Sequence, residues 1–392
     1  MSQKARERLN PQSAAQRLLN PFDWYRHQRE NAPVFYDADR HIWMVFGYED
    51  VQRVLSEHAT FSSEYGRGGG ASDPLGASII STDPPRHRQL RTLVTQAFTP
   101  RTVAQLEPRI QGIVDGLLDT VAGAGELDII GDLAYPLPVI VIAELLGIPA
   151  EDRAQFKQWS DAVVTGTRAA GMAGRDPQAE MSAYFLRLIE ERRREPRGDL
   201  ISGLLAAQIE GEHLSQVELL GFCVLLLVAG NETTTNLIGN AILCLDEQPD
   251  ALERLRAEPA LLPGAIEEVL RYRSPVQFMF RATVREAEMG GQAIPAGRPV
   301  IAWIGSANRD PVQFPDPDRF DIARTPNRHL AFGQGIHFCL GAPLARLEAR
   351  IALEALLQRA RRIQVAPDAR LDWLESTIVY GVKRLPVALT PA

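Results

Sequence analysis

The chain has 392 residues, of which 45% are hydrophobic, and this is enough to form a large buried core. Its 42 Lys and Arg residues and 49 Asp and Glu residues give a formal net charge of -7, which argues against broad binding to nucleic acid or to an anionic membrane. The three cysteines follow neither a zinc spacing nor a disulfide framework, as is typical of a protein in a reducing, intracellular setting.

The sequence carries no clear targeting or linker signal. Residues 1–22 contain no apolar segment of the secretory type, and the longest apolar run, 222–229, is much shorter than the roughly 20 residues of a membrane-spanning helix. We therefore expect no membrane anchor and a cytoplasmic location. No Gly/Ser-rich or like-charged linker divides the chain, so we expect one domain over residues 1–392.

The first part of the chain predicts a small sheet and an irregular loop. Residues 33–46 contain short β-rich runs, 48–57 have a helical pattern, and 64–78 are rich in Gly, Ser, Asp and Pro. Residues 66–71 formally satisfy a dinucleotide-binding fingerprint, but 72–74 (Ser-Asp-Pro) would break the helix that such a site needs. We expect no nicotinamide or flavin site, so electrons for any redox reaction would come from a separate protein.

Several helices are predicted in the next part. One opens at 83–85 (Asp-Pro-Pro) and places His87 and Arg91 one turn apart on the same face; without further information these two residues read as part of a solvated basic stripe. Apolar residues recur at helical spacing over 103–121 and 137–146, which predicts scaffold helices. Further helices are predicted at 152–164 and 178–194, joined by the Gly-rich connector 166–174.

The longest helical pattern begins at a capping box, Ser215 to Glu218, and extends to about residue 247. Its centre, 229–235 (AGNETTT), is rich in residues of low helix propensity. Such residues in the middle of a buried helix suggest that they are there for a function. A glycine allows a ligand to approach, a threonine hydroxyl can bond back to a carbonyl, and a carboxylate can carry protons. The structural alternative is that Thr233 only kinks the helix and Glu232 is a surface charge.

The last third combines a charged helix with extended segments. Glu268 and Arg271 stand at i and i+3 on a predicted helix at 261–271, which by itself is a weak signal. Residues 276–283 are predicted to be extended, strand patterns follow to residue 303, and 376–380 has the pattern of a hairpin tip.

The segment 332–341, FGQGIHFCLG, holds Cys339 among three glycines that permit tight turns and close approach of a bulky group. The following residues predict a helix with Pro343 in its first turn, so Cys339 lies just before a helix N-terminus, where the dipole favours thiolate over thiol. A lone cysteine among glycines is more often an inert core thiol.

The complete pattern Phe, Gly, x, Gly, x, His, x, Cys, x, Gly resembles the haem-binding loop of the cytochrome P-450 family at every fixed position. The resemblance implies a mainly α fold with a smaller β region, and haem b between a long central helix and the helix after the cysteine loop. It also implies that Cys339 is the axial thiolate on the iron, a ligand that favours O–O cleavage. Because the chain start shows no anchor, it is similar to the soluble bacterial type.

The resemblance implies roles for further residues. The DPP-x-H-x-x-x-R arrangement resembles the helix that crosses the haem propionates, and Glu232 with Thr233 resembles the acid–alcohol pair that supplies protons during oxygen activation. Glu268 and Arg271 resemble the Glu-x-x-Arg motif, with Arg319 as the third member of a structural triad. The implied propionate partners are His87, Arg91, Arg281 and His337. The other implied haem contacts are Ala229, Gly230, Phe332, Gly333 and Gly341.

A substrate pocket is also implied by the resemblance. Its lining would come from loop 64–78, the helices at 152–164 and 178–194 as a lid, and a set of mostly apolar residues: Leu226, Ala229, Gly230, Val276, Phe278, Met279, Ile378 and Val379. An apolar lining predicts a fatty acid, terpenoid or steroid-like substrate. Arg67 or Arg168 could hold a carboxylate at the mouth, although solvated side chains are the simpler interpretation.

The leading functional prediction is a monooxygenase that activates dioxygen with electrons from a ferredoxin and ferredoxin reductase-type donor. Positive charge on the proximal face would then steer an acidic partner, and the candidates are Arg86, Arg88, Arg346 and Arg350. Two alternatives remain at this point. One is a peroxide-driven peroxygenase, which usually dispenses with the acid–alcohol pair, and the other is a non-catalytic haem-binding sensor or carrier.

Overall fold

The computed structural model describes residues 20–64, 76–121, 126–156, 158–159, 176–209 and 211–391. It is mainly helical with a smaller β region, which confirms that prediction. The helices are α1 (Phe22–Asn31), α2 (Tyr48–Ser56), α3 (Arg86–Ala97), α4 (Pro100–Ala104), α5 (Glu107–Thr120), α6 (Pro136–Leu145), α7 (Pro177–Arg194), α8 (Leu200–Ala206), α9 (Gln216–Glu247), α10 (Pro249–Ala257), α11 (Leu262–Tyr272), α12 (Ile304–Ala307) and α13 (Ala342–Arg359). The strands are β1 (Val34–Asp37), β2 (Ile42–Val45), β3 (Phe61–Ser62), β4 (Glu126–Asp128), β5 (Met279–Thr283), β6 (Ala287–Met289), β7 (Gln292–Ile294), β8 (Pro299–Ala302), β9 (Ala360–Val365) and β10 (Pro386–Pro391).

Strands from the two predicted β-rich segments, together with the short strand β3, form one five-stranded sheet with the order β1-β2-β8-β5-β3. β1 and β2 are an antiparallel hairpin, β2 runs parallel to β8, and β5 pairs antiparallel with both β8 and β3. Strands from the start of the chain therefore fix β5, which carries Arg281. Separate sheets contain β4-β10-β9 and β6-β7.

The central helix α9 has 32 residues and begins at the predicted capping box, in which Ser215 Oγ accepts from the Glu218 N–H and the Glu218 carboxylate accepts from the Ser215 N–H. It packs against α6, α11 and α13 and is mostly buried. By length and composition it could cross a membrane, but half of its most apolar window is buried against the rest of the protein, as in the core helix of a globular fold.

Two helix predictions need correction. The apolar pattern over 103–121 belongs to two helices rather than one, because α4 ends at Ala104 and α5 begins at Glu107, with Pro108 in its first turn. The helix predicted at 178–194 is present as α7, with Asp176 as its N-cap. Most of the first lid helix and the connector 166–174, together with Arg67, Arg168 and most of loop 64–78, lie outside the described residues.

The buried side chains of the described residues form three clusters. The largest surrounds α9, and a second lies between α2 and the five-stranded sheet. The third is aromatic and joins α1 to the sheet: Trp24 packs edge-on against Phe46 and Trp303, with ring centroids 5.2 and 5.0 Å apart. The N-terminal helix is thus fixed against the same sheet that carries β5.

Candidate active site

The cysteine loop is closed by a backbone hydrogen bond from the Cys339 N–H to the Phe332 carbonyl, 2.8 Å long. Gly333 and Gly335 have φ values of 72° and 69°, in the left-handed region that favours glycine. A Cβ at Gly335 would also lie 2.8 Å from the Cα of Ser56 in α2. The pattern of glycines therefore serves the turn and its packing on α2, and holds Cys339 at a fixed point.

The Cys339 thiol lies two residues before Gly341, the N-cap of α13, as predicted. Burial raises the pKa of this thiol, whereas the Gly341 and Ala342 N–H groups and the nearby Arg91 act to lower it. The helix terminus therefore favours the thiolate, but in the protein alone the effect of burial is larger. The Cβ position of Gly341 is 3.9 Å from Cys339 Sγ, an ordinary contact, so the space around sulfur does not require glycine there.

Four positively charged or titratable side chains converge beside this loop. The rings of His87 and His337 are 4.4 Å apart between centroids, and Arg91 and Arg281 interact electrostatically with His337. Burial, followed by Arg281, His87 and Arg91, lowers the pKa of His337 to about 3, and burial lowers the pKa of Arg281 to about 10. The structure thus brings the four predicted propionate partners together.

The positive charge of this cluster is poorly balanced. Arg281 is 8% exposed and donates its hydrogen bond to the carbonyl of its neighbour Phe280. His87 Nε2 is buried and has no hydrogen-bond partner in the part of the chain that the structure describes. The carboxylate of Asp83 is the nearby negative group, with Oδ1 3.9 Å from His337 Nε2. Burying uncompensated cations is costly, so the cluster fits a ligand that carries carboxylates.

The centre of α9 presents the predicted acid and alcohol. Thr233 Oγ1 donates a 2.7 Å hydrogen bond to the carbonyl of Ala229, and Ala229 itself is exposed. Glu232 is half-buried, and burial raises the pKa of its carboxyl to about 7. Gly230 also serves helix packing, because a Cβ there would lie 2.6 Å from Cδ1 of Ile142 in α6. Its missing side chain allows α6 and α9 to pack closely.

Two predicted pocket segments lie side by side. Val276 and Val379 form an isolated antiparallel bridge, and Ile378 is 47% exposed. Met279 and Leu226 are half-buried. The placement of Phe278 does not support its predicted lining role: it is 4% exposed and packs against Trp303 in the aromatic cluster, at 4.8 Å between centroids.

The sequence and the fold were compared with those of known proteins. The family model for cytochrome P450 matches residues 10–163 and 173–370. The chain belongs to the cytochrome P450 family. It is therefore a haem b-binding monooxygenase with the fold of that family.

Individual relatives agree over nearly the whole length. Cytochrome P450 109 of Bacillus spizizenii is 48% identical, covering 95% of this chain and 92% of the relative. The erythromycin C-12 hydroxylase of Saccharopolyspora erythraea is 44% identical and covers 93% of each chain. The crystal structure of CYP109E1 from Bacillus megaterium in complex with testosterone is 47% identical, with a TM-score of 0.87, and covers 94% of this chain and 99% of that one.

On α11, Glu268 and Arg271 form a fully buried pair with two 2.8 Å hydrogen bonds. The prediction that the Arg319 side chain is the third member is wrong, because that side chain is exposed. Only the Arg319 carbonyl takes part, by accepting a hydrogen bond from Arg271. The second guanidinium at Glu268 is that of Arg324, whose Nε donates to Glu268 Oε1 at 3.2 Å. The sequence shows several arginines after Phe314, and spacing alone could not choose among them.

The P450's predicted proximal arginines are largely paired with its own carboxylates. Arg86 makes a bidentate pair with Glu218, with N–O distances of 2.7 and 2.6 Å. Arg346 does the same with Glu267, at 2.6 and 2.7 Å. Arg350 lies 2.7 Å from Glu107 and 3.0 Å from Glu354.

Among these four cations, Arg88 is exposed and has no ion pair with the described residues. The expected excess of positive charge is therefore reduced to one side chain in this set. The sequence could not show this for Arg86 and Arg346, because their partners Glu218 and Glu267 lie on other elements. For Arg350, Glu107 lies on α5, whereas Glu354 stands at i+4 in the same helix.

Sequence reasoning missed one acidic residue of this P450. Glu348 in α13 is 1% exposed, and its Oε1 has no hydrogen-bond partner among the described residues. Burial raises the pKa of this carboxyl to about 8. The only sequence signal was an acid on the apolar face of a predicted helix.

Proposed function

We propose that this P450 hydroxylates a bulky apolar small molecule of steroid or macrolide size, with Cys339 as the axial ligand and electrons from a separate ferredoxin-type donor. The observation that carries the proposal is the convergence of His87, Arg91, Arg281 and His337 beside the cysteine loop. Four cationic or protonatable groups, opposite which the described residues place the carboxylate of Asp83, suit the two propionates of haem b.

The proposal assigns the cofactor contacts as follows. Cys339 binds the iron through its sulfur, which the Gly341 and Ala342 N–H groups stabilise as a thiolate. Arg281 and His337 hold propionate oxygens, together with His87 and Arg91 from α3. Phe332, Gly333 and Ala229 lie where the loop and α9 would contact the ring. Bound in this way, haem supplies the iron centre for reductive activation of dioxygen, and the thiolate favours O–O cleavage.

Glu232 and Thr233 handle protons in the proposed reaction. Glu232 has a pKa of about 7, so near neutral pH its carboxyl can both hold and release a proton. The Thr233 hydroxyl donates to Ala229 and keeps two lone pairs, so it can also accept a hydrogen bond from water. An acid and an alcohol together favour the monooxygenase over a peroxide-driven peroxygenase, and neither would be needed in a non-catalytic haem sensor.

The substrate class rests on the apolar side chains assigned to the pocket wall. Leu226, Val276, Met279, Ile378 and Val379 offer little hydrogen bonding, so burial of apolar ligand surface, at about 25 cal/mol per Å², would supply most of the binding free energy. One relative is named for hydroxylating erythromycin and a similar structure holds testosterone. A rigid polycyclic or macrocyclic substrate agrees better with these two relatives than the fatty acid or terpenoid that the sequence also allowed.

The electron donor, location and domain organisation are further parts of the proposal. The sequence offers no convincing dinucleotide-binding motif, which favours a ferredoxin and ferredoxin reductase-type donor. A soluble, cytoplasmic protein agrees with the crystallised bacterial relatives. One domain agrees with a sheet in which the β1–β2 hairpin from the start of the chain joins β8 through β2.

The thiolate assignment is tested with carbon monoxide. Reduced wild type with carbon monoxide should show the strongly red-shifted Soret band of thiolate-ligated haem, and Cys339→Ser should lose it. Cys223→Ser, at a buried cysteine in α9, is the matched control and should keep the band. A histidine-type band in wild type would contradict the assignment.

The substrate class is tested by titrating ferric wild type with steroids, macrolides, terpenoids and fatty acids. A saturable Soret shift should appear with a steroid or macrolide, and mass spectrometry after incubation with ferredoxin, reductase and NADH should find the hydroxylated product. A shift and product with fatty acids alone would overturn the proposed class.

A further inference from the structure

The two segments assigned to the pocket wall are joined by their backbones. The Gln277 N–H donates to the Ile378 carbonyl at 2.7 Å, and the Tyr380 N–H donates to the Pro275 carbonyl at 2.9 Å. The Val276–Val379 bridge lies between these two bonds. Any movement of one segment is therefore passed to the other.

The Gln277 side chain anchors this pair of segments from behind. Its Nε2 donates to the Ser274 carbonyl at 2.5 Å, and its Oε1 accepts from the Tyr25 hydroxyl at 2.6 Å. Its own carbonyl accepts from the Gly305 N–H at 3.0 Å. With the bond to Ile378, the main-chain and side-chain groups of Gln277 contact four separate parts of the fold. Gln277 is 3% exposed, so these bonds are made away from water, where losing one is costly.

The packing around Gln277 leaves little freedom. A Cβ added at Gly305 would collide with Gln277 Oε1 and would lie 3.1 Å from the Tyr25 ring. The glycine at this position allows α12 to approach both side chains. The position of Gln277 is therefore set by the position of Tyr25 and by the turn of α12.

Tyr25 is itself rigidly held on α1. It is 1% exposed, and its ring lies 5.6 Å from that of Trp303 between centroids. In the same helix, Arg29 Nη1 donates to the Ser306 carbonyl and hydroxyl, both at 3.0 Å. Burial raises the pKa of Tyr25, so the phenol stays protonated and acts as the donor.

We propose that Tyr25 is a positioning residue of the substrate pocket, which acts through Gln277 to set the location of Val276, Ile378 and Val379. The inference rests on the proposed function, because that proposal assigns these two segments to the pocket wall. It gives the N-terminal helix a role in how tightly a large ligand binds and in which of its carbons is oxidised, although Tyr25 does not touch the ligand.

The test compares Tyr25→Phe with Tyr48→Phe. Tyr48 is the matched control, because its buried hydroxyl also donates a 2.6 Å hydrogen bond, here to the Arg328 carbonyl, and it lies on α2. Two ferric-haem ligands serve as probes. Imidazole binds the iron and is too small to contact much of the pocket wall. Clotrimazole binds the iron through the same ring, and its three aryl groups fill the pocket.

Tyr25→Phe should weaken clotrimazole binding roughly three- to tenfold and leave the imidazole dissociation constant within about twofold. Tyr48→Phe should leave both constants near wild type, even if the two variants lose similar stability. In the background of Gln277→Met, Tyr25→Phe should have no further effect on clotrimazole, because the hydroxyl acts through that amide. If Gln277→Met does not fold, the comparison of Tyr25→Phe with Tyr48→Phe still tests the proposal.

The possible failures are distinguishable. A wild type without the red-shifted carbon monoxide band would overturn the proposed function and this inference with it. A normal band, together with equal effects of Tyr25→Phe on both probes or on neither, would overturn the inference alone.

Discussion

Thr233 Oγ1 donates a 2.7 Å hydrogen bond to the carbonyl oxygen of Ala229, one turn earlier in α9. Thr235 makes a similar bond to the Asn231 carbonyl, at 3.0 Å, but its Oγ1 also lies 3.0 Å from the carbonyl of Ala134 outside the helix. The Thr235 hydroxyl is buried among protein groups, whereas Thr233 lies beside the exposed Ala229. Two threonines with the same local bond are therefore placed for different tasks.

Thr233→Ala should uncouple electron use from hydroxylation. Without the hydroxyl, protons reach the activated oxygen poorly, so we expect product per NADH to fall roughly tenfold while NADH oxidation continues and peroxide accumulates. The measurement is product, peroxide and NADH in the ferredoxin-supported reaction. Thr235→Ala is the control and should lower stability with little loss of coupling; equal coupling in wild type and Thr233→Ala would contradict the proton-relay role.

Gly230→Ala should destabilise the protein through packing rather than through lost ligand binding. The added methyl would lie 2.6 Å from Ile142 Cδ1, and overpacking typically costs about 1–3 kcal/mol, which exceeds the roughly 1 kcal/mol gained in helix propensity. Ile142→Val removes that Cδ1 and should restore much of the lost free energy of unfolding in the double variant. Additive losses in denaturant unfolding would show that the clash is not the cause.

The local features of the site could be predicted from the sequence. The capping box at Ser215 and the turn around Gly333 and Gly335 depend on interactions between residues close in the chain. The pairing of Glu268 with Arg271 depends on helical spacing alone. Such features are fixed by backbone geometry, which a short segment already determines.

The features that were missed depend on side-chain direction between distant elements. Phe278 was expected in the pocket from the family resemblance, but successive residues of an extended segment face opposite sides, and this one faces Trp303. The role of Gly230 depends on Ile142, 88 positions earlier, and the burial of Glu348 depends on the packing of α13. No local pattern contains this information.

Because Arg324 rather than Arg319 pairs with Glu268, the two arginines should differ in their contribution to stability. Arg324 Nε lies 3.2 Å from Glu268 Oε1, and its other nitrogens donate to carbonyls including that of Asp316. Removing it would leave a buried carboxylate less well paired, so Arg324→Met should cost about 1–3 kcal/mol in the free energy of unfolding. Arg319→Met should cost little, because its guanidinium is exposed and only its backbone carbonyl is used. Urea unfolding of both holoproteins checks the order, and a larger loss in Arg319→Met would reverse the assignment.

Glu348 should make stability fall as pH rises. Its folded pKa of about 8 is above the ordinary value of 4.5, so between these values the folded state binds more protons than the unfolded state. The stability of wild type should therefore decrease from about pH 5 to pH 8, by at most roughly 1.4 kcal/mol per pH unit from this group.

Glu348→Gln keeps the shape of the side chain and cannot ionise. It should match wild type near pH 5 and exceed it near pH 8, as measured by urea unfolding of the holoprotein at each pH. Glu354→Gln, at a partly exposed carboxylate in the same helix that pairs with Arg350 at 3.0 Å, is the control and should not remove the pH dependence. Parallel pH profiles for wild type and Glu348→Gln would mean that Glu348 ionises normally, and hence that water or an alternative side-chain position satisfies its carboxylate.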